Sequence, residues 1–145
     1  MLELILNFIE NKGDINLQDK NGFNALIYAC FHEDITIVNK LIENKANVDL
    51  QTINKETALV WSCRRNNIEI ALKLIENKAN LDLQNNNKWT ALMYSCWNNN
   101  IEIALKLIEH NANLDIQDID GWTALMWSCR RNNTEIVSFL LEHII

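Results

Sequence analysis

The chain reads as an all-α solenoid of helix–loop–helix units joined by β-hairpin-like turns, and three observations predict it. First, the sequence superimposes on itself when shifted by 33 residues: Thr57-Ala-Leu-Val-Trp-Ser-Cys63 matches Thr90-Ala-Leu-Met-Tyr-Ser-Cys96 and Thr123-Ala-Leu-Met-Trp-Ser-Cys129, with Asn24-Ala-Leu-Ile-Tyr-Ala-Cys30 as a fourth copy. Second, a longer apolar stretch, Ile68 to Glu76, recurs as Ile101 to Glu109 and more loosely as Ile35 to Glu43 and Thr134 to Glu142. Third, the segment Ala46-Asn-Val-Asp-Leu-Gln51 returns as Ala79 to Gln84, as Ala112 to Gln117 and as Gly13 to Gln18. Two helical stretches and one extended linker per period describe a unit that buries its apolar face only by stacking on a neighbour.

Within a unit the elements follow in order. Thr57, Thr90 and Thr123, and Asn24 in the first unit, stand where a capping side chain can bond the free amides of a first helical turn. Leu59, Ser62 and Cys63 then share one face at i, i+3 and i+4, small residues where a neighbouring helix must approach. Asn66, Asn99 and Asn132 close that helix, since Asn tolerates the left-handed conformation found at helix ends. In the second helix Ile70, Leu74 and Ile75 form an inward stripe, with Glu69, Lys73 and Glu76 on the polar side. By the same register Leu4, Ile5, Phe8 and Ile9 are expected to point inward at the start of the chain. The extended linker leads into a turn at Asn54-Lys55, Asn87-Lys88 or Asp120-Gly121. The Asn runs at 85–87 and 98–100 fall between periodic stretches and read as loops.

A 33-residue unit of turn, helix, loop and helix resembles the ankyrin repeat, whose signature is Thr-Pro-Leu-His-x-Ala-Ala followed by Leu-Leu-x-x-Gly-Ala. The resemblance covers the chain as a single domain, 1–145: a half repeat at 1–18, repeats at 19–51, 52–84 and 85–117, and a C-terminal repeat at 118–145. Departures are consistent. Ala25, Ala58, Ala91 and Ala124 replace the family's Pro, and Ile27, Val60, Met93 and Met126 replace its His. Lys12, Lys45, Lys78 and Asn111 stand where the family has a capping Gly, at a cost of about 1 kcal/mol for each non-Gly residue held left-handed.

Composition narrows the function classes. A formal net charge of −6 argues against non-specific nucleic-acid binding, which needs an excess of Lys and Arg. No apolar run approaches the roughly 20 residues that span a bilayer. The opening Met1-Leu-Glu-Leu-Ile-Leu-Asn-Phe-Ile-Glu has no basic leader and reads as a helix, so a cytoplasmic location, in the producing cell or in a host cell, is expected. Cys30, Cys63, Cys96 and Cys129 lie one period apart, hence about 8–10 Å in stacked units, beyond disulfide reach. They read as small buried fillers. His32, His110 and His143 show no metal-ligand spacing, and a Cys30–His32 nucleophilic pair lacks an orienting third group. Gly13, Gly22 and Gly121 make no phosphate loop. The expectation is a non-enzymatic protein without metal or cofactor.

The repeat also separates constant positions from variable ones. By resemblance to ankyrin arrays, the concave groove is lined by positions just after the turn (Phe23, Glu56, Trp89, Trp122) and by two positions at the end of the first helix. The latter are Phe31, Arg64, Trp97 and Arg130, followed by His32, Arg65, Asn98 and Arg131. A ladder of Tyr28, Trp61, Tyr94 and Trp127 recurs beneath them. This stripe holds all five tryptophans and every arginine of an acidic chain, and Trp, Tyr and Arg are the residue types enriched at binding hot spots. The ladder has an alternative role as unit-to-unit packing, and the arginines an alternative partner in cation–π stacking on the tryptophans. The expected function is therefore capture of another protein, through an acidic and partly apolar segment laid across the groove. Two alternatives stand beside it: weak end-to-end self-association into a structural assembly, and occlusion of a specific enzyme or toxin.

Overall fold

The computed structural model describes residues 2–144, without the side chains of Leu2 and Ile5, so the inward placement expected of Ile5 lies outside the described residues. Nine helices form among them: α1 (Leu2–Glu10), α2 (Ala25–Phe31), α3 (Ile35–Glu43), α4 (Ala58–Arg64), α5 (Ile68–Glu76), α6 (Ala91–Trp97), α7 (Ile101–Glu109), α8 (Ala124–Arg130) and α9 (Thr134–His143). The even-numbered helices stack α2 on α4, α4 on α6 and α6 on α8, while α3, α5, α7 and α9 form a second row behind them. No strand is present among the described residues. The hairpin-like turns close instead on a pair of backbone bonds each, such as Thr52 N–H to Glu56 C=O at 3.0 Å with Lys55 N–H to Thr52 C=O at 2.8 Å, and Asn85 N–H to Trp89 C=O at 3.1 Å with Lys88 N–H to Asn85 C=O at 2.8 Å.

Helices this short are marginal alone, so their ends carry much of the local specification. Asn24, Thr57, Thr90 and Thr123 accept from the backbone amides of Ile27, Val60, Met93 and Met126, as the sequence predicts. A second set of caps is equally regular: Asp34, Asn67, Asn100 and Asn133 accept from the amides of Ile37, Ile70, Ile103 and Ile136. One Asn run thus divides into three tasks. Asn98 donates its amide back to the Cys63 carbonyl, Asn99 adopts φ 58°, and Asn100 caps α7. Lys12, Lys45, Lys78 and Asn111 all take positive φ, as do Asn66, Asn99 and Asn132.

The core runs the length of the array. Ile70, Ala71, Leu74, Ile75, Ile103, Ala104, Leu107 and Ile108 are buried between the rows together with Leu59 and Leu92. Cys30, Cys63 and Cys96 are buried fillers with free thiols, and burial pushes each up to about 12. Each faces a serine of the next unit, Ser62, Ser95 and Ser128 in turn, whose hydroxyl donates back to the carbonyl of Ala58, Ala91 or Ala124. Two expectations are corrected at the margins. Cys129 is exposed, because no helix stacks on that face of α8 among the described residues. Leu4 and Phe8 hold the register of the inward stripe, yet they are 70% and 46% exposed, since no first-row helix stands in front of α1 among the described residues.

The linkers lock the units in register. Asn47, Asn80 and Asn113 each donate a backbone amide to the side-chain oxygen of Asn16, Asp49 or Asp82 in the preceding unit, at 2.7–2.8 Å. The Gln18, Gln51 and Gln84 amides reach forward to the carbonyls of Gln51, Gln84 and Gln117. Hairpin tips join as well, Ile53, Asn86 and Ile119 donating to the carbonyls of Asn21, Asn54 and Asn87.

Candidate protein-binding surface

The stripe predicted from the variable positions is built on the hairpins and the first-row helices. Its aromatic ladder is anchored by residues that the sequence reading did not single out, although they recur at the same period immediately after Gln18, Gln51, Gln84 and Gln117. Asp19, Asn85 and Asp118 each accept two backbone amides of their own turn on Oδ1. The other side-chain atom meets the ladder: Tyr28 Oη donates to Asp19 Oδ2 at 2.6 Å, Asn85 Nδ2 donates to Tyr94 Oη at 3.0 Å, and Trp127 Nε1 donates to Asp118 Oδ2 at 2.9 Å. The Tyr28 hydrogen bond holds the Asp19 carboxyl below its ordinary range and raises the tyrosine in return. In the second unit Thr52 occupies the position, its hydroxyl serves only the Glu56 amide, and the buried Trp61 Nε1 has no partner among the described residues.

Above the ladder the rings gather into two clusters. Trp61 lies 5.9 Å from Phe23 and 5.4 Å from Phe31, with Tyr28 against Phe23 at 4.9 Å. In the second cluster Trp127 meets Trp89 at 4.8 Å, Trp97 at 5.2 Å and Trp122 at 4.7 Å, and Tyr94 meets Trp89 at 4.7 Å. The ladder therefore packs unit on unit while its edges stay partly open. A shallow recess of about 350 Å³ opens over the second cluster, lined by Asn87, Trp89, Tyr94, Trp97, Ile119, Asp120 and Trp127. Trp97, 37% exposed, is the most accessible large ring there.

All four arginines stack on rings: Arg64 over Trp61 at 5.2 Å, Arg65 over Phe31 at 5.4 Å, Arg130 over Trp122 at 5.5 Å and Arg131 over Trp97 at 4.7 Å. Their charges are treated differently. Arg64 Nη1 donates to Glu56 Oε1 at 2.8 Å, and Arg65 Nε lies 3.3 Å from Glu33 Oε1. Glu56, expected on the partner face, is only 6% exposed and is engaged by Arg64. Arg131 Nε donates to the Trp97 carbonyl at 2.8 Å, and neither Arg130 nor Arg131 meets a carboxylate among the described residues. Asn98, also expected on the surface, spends its amide on the end of α4.

The family description "Ankyrin repeats (3 copies)" matches residues 1–85, 32–118 and 106–145, which together span the chain. The chain belongs to the ankyrin-repeat family. A search of curated proteins finds no match. Ankyrin repeats are generally protein–protein interaction modules and typically non-enzymatic. In this ankyrin array no helix among the described residues is long and apolar enough to cross a membrane, and no three His, Cys, Asp or Glu side chains gather as a metal site. The Cys30 thiol is buried, and that burial pushes it up to about 12.

Proposed function

We propose that this ankyrin array is a non-enzymatic binding module that captures a segment of another protein along the stripe of hairpins and first-row helices. The observation that carries the reading is the concentration of Trp89, Trp97, Trp122, Trp127 and the arginines along one face of a chain with net charge −6. Rigid aromatic rings supply contact area at small entropic cost, and arginine adds directional donors. Phe23, Phe31, Trp61, Arg64 and Arg65 extend the same stripe across the first two units. Trp97→Ala removes the most accessible tryptophan of the recess without touching the buried core. A partner recovered stoichiometrically by the native chain and lost with Trp97→Ala supports the reading; recovery unchanged by that substitution overturns it.

Self-association is a second reading, favoured by the exposure of Leu4 and Phe8 on α1 and of Met126, 48% exposed, on α8. Light scattering over a dilution series separates the two: a mass independent of concentration removes self-association. Occlusion of an enzyme or toxin is a special case of the first reading, and a stoichiometric complex that lacks the partner's activity distinguishes it.

A further inference from the structure

Resting on the binding reading above, the geometry points to one end of the stripe as the polar anchor. We infer that the partner presents an apolar side chain to the recess over Trp89, Trp97 and Trp127 and, about two residues away along an extended segment, a carboxylate to Arg130 and Arg131.

Three observations lead there. The first concerns charge. Arg64 and Arg65 already face Glu56 and Glu33, so an incoming carboxylate at the second unit must compete with one that is in place. Arg130 and Arg131 meet none among the described residues, and Arg131 stacks on Trp97, a wall of the recess, while Arg130 lines the neighbouring recess beside Trp122, so the unbalanced positive charge of the stripe lies at α8. The second concerns sign. An aromatic recess is also the kind of site that takes a cation. Here Trp97 and Trp122 already carry the guanidinium groups of Arg131 and Arg130, and a second cation would meet like charge at contact distance. Stacked on a ring, each guanidinium still has its two Nη groups to offer, Arg131 spending only Nε on the Trp97 carbonyl, and that outer pair suits bidentate binding of a carboxylate.

The third concerns direction. Asp120 lines the hairpin-tip side of the recess, whereas Arg130 and Arg131 follow Trp127 by about one helical turn, roughly 5 Å. A carboxylate is disfavoured at the first edge and favoured at the second. Alternate side chains of an extended segment lie about 6–7 Å apart on one face, which matches an apolar residue and an Asp or Glu at i and i+2.

The probe is a displayed library of random linear peptides, selected on the full chain. Affinities are then measured for Arg130→Gln/Arg131→Gln, Arg64→Gln/Arg65→Gln and Trp97→Ala, each checked for native circular dichroism and melting. Glutamine carries a donor at the Nε position that Arg131 uses on the Trp97 carbonyl, but it loses the ring stacking and the Arg64 bond to Glu56, so each affinity is read only on a variant whose melting shows it folded. The expected peptides share an apolar residue with Asp or Glu two positions on. They lose about tenfold in affinity with the Arg130/Arg131 pair neutralised, and less than about twofold with the Arg64/Arg65 pair neutralised. Peptides rich in Lys or Arg, or acidic ones weakened alike by both pairs, overturn this assignment; if they still lose affinity with Trp97→Ala, the binding reading stands. Peptides indifferent to all three variants, or a library with no convergent binder, overturn both.

Discussion

At the residue scale, the decisive side chains are those that serve a turn and a ring together. Asp118 accepts the Asp120 and Trp122 amides on one oxygen and the Trp127 indole on the other. Asp118→Ala removes all three bonds and leaves part-buried donors unmet, a cost of about 2–3 kcal/mol in urea unfolding. Asp118→Asn keeps the turn and sets an amide donor against the indole N–H, for a smaller loss of about 1–2 kcal/mol. The cysteines give a second prediction. Cys129 should react with a thiol reagent in the native protein at once, and Cys30, Cys63 and Cys96 only on unfolding. Their pKa is raised from 9.0 to about 12, so the folded state holds protons that the unfolded state releases. Their contribution is complete below pH about 9 and is lost as pH rises toward 12. The melting temperature should fall over that window, and Cys63→Ala should make the fall shallower.

At the element scale, seven- and nine-residue helices are held by caps and by the residue that turns the chain afterwards. Lys78 sits at φ 61° after α5 without the freedom of glycine. Lys78→Gly should raise stability by about 0.5–1 kcal/mol, and Lys78→Val should lower it, both read by urea midpoints. Hairpin glycines differ by their surroundings. Gly22 and Gly121 both take positive φ, yet an added Cβ at Gly22 comes within 2.7 Å of the Thr52 backbone, while at Gly121 it meets nothing. Gly22→Ala should therefore destabilise the array more than Gly121→Ala, which costs about 1 kcal/mol from the backbone alone.

At the scale of the whole molecule, stability is a sum over interfaces between like units, so protection should follow the number of covered faces. Helices α5 and α7, buried between neighbours and rich in fully buried Ile and Leu, should show the slowest amide exchange. Helix α1, with Leu4 and Phe8 exposed, should exchange fastest. Uniform exchange along the array would contradict this graded picture. The two halves of the stripe differ in the same way: the second unit balances its arginines internally, and the last unit leaves its pair without a carboxylate among the described residues.

The period, the helices, the Thr and Asn caps, the left-handed Asn and Lys positions and the burial of Cys30, Cys63 and Cys96 were all readable from the sequence. Each depends on a residue's own chemistry at a fixed spacing, repeated often enough to stand out. The second row of caps at Asp34, Asn67, Asn100 and Asn133 was hidden because Asn follows Asn in three of the four units, and sequence does not say which one caps. The partner face was readable as a list of positions but not as a surface. Which arginine is neutralised, that Glu56 turns inward, that Asn98 serves the preceding helix and that Cys129 is exposed all depend on distances between units. Those distances exist only once the units have stacked, and a side chain's charge partner is chosen by that packing rather than by its neighbours along the chain.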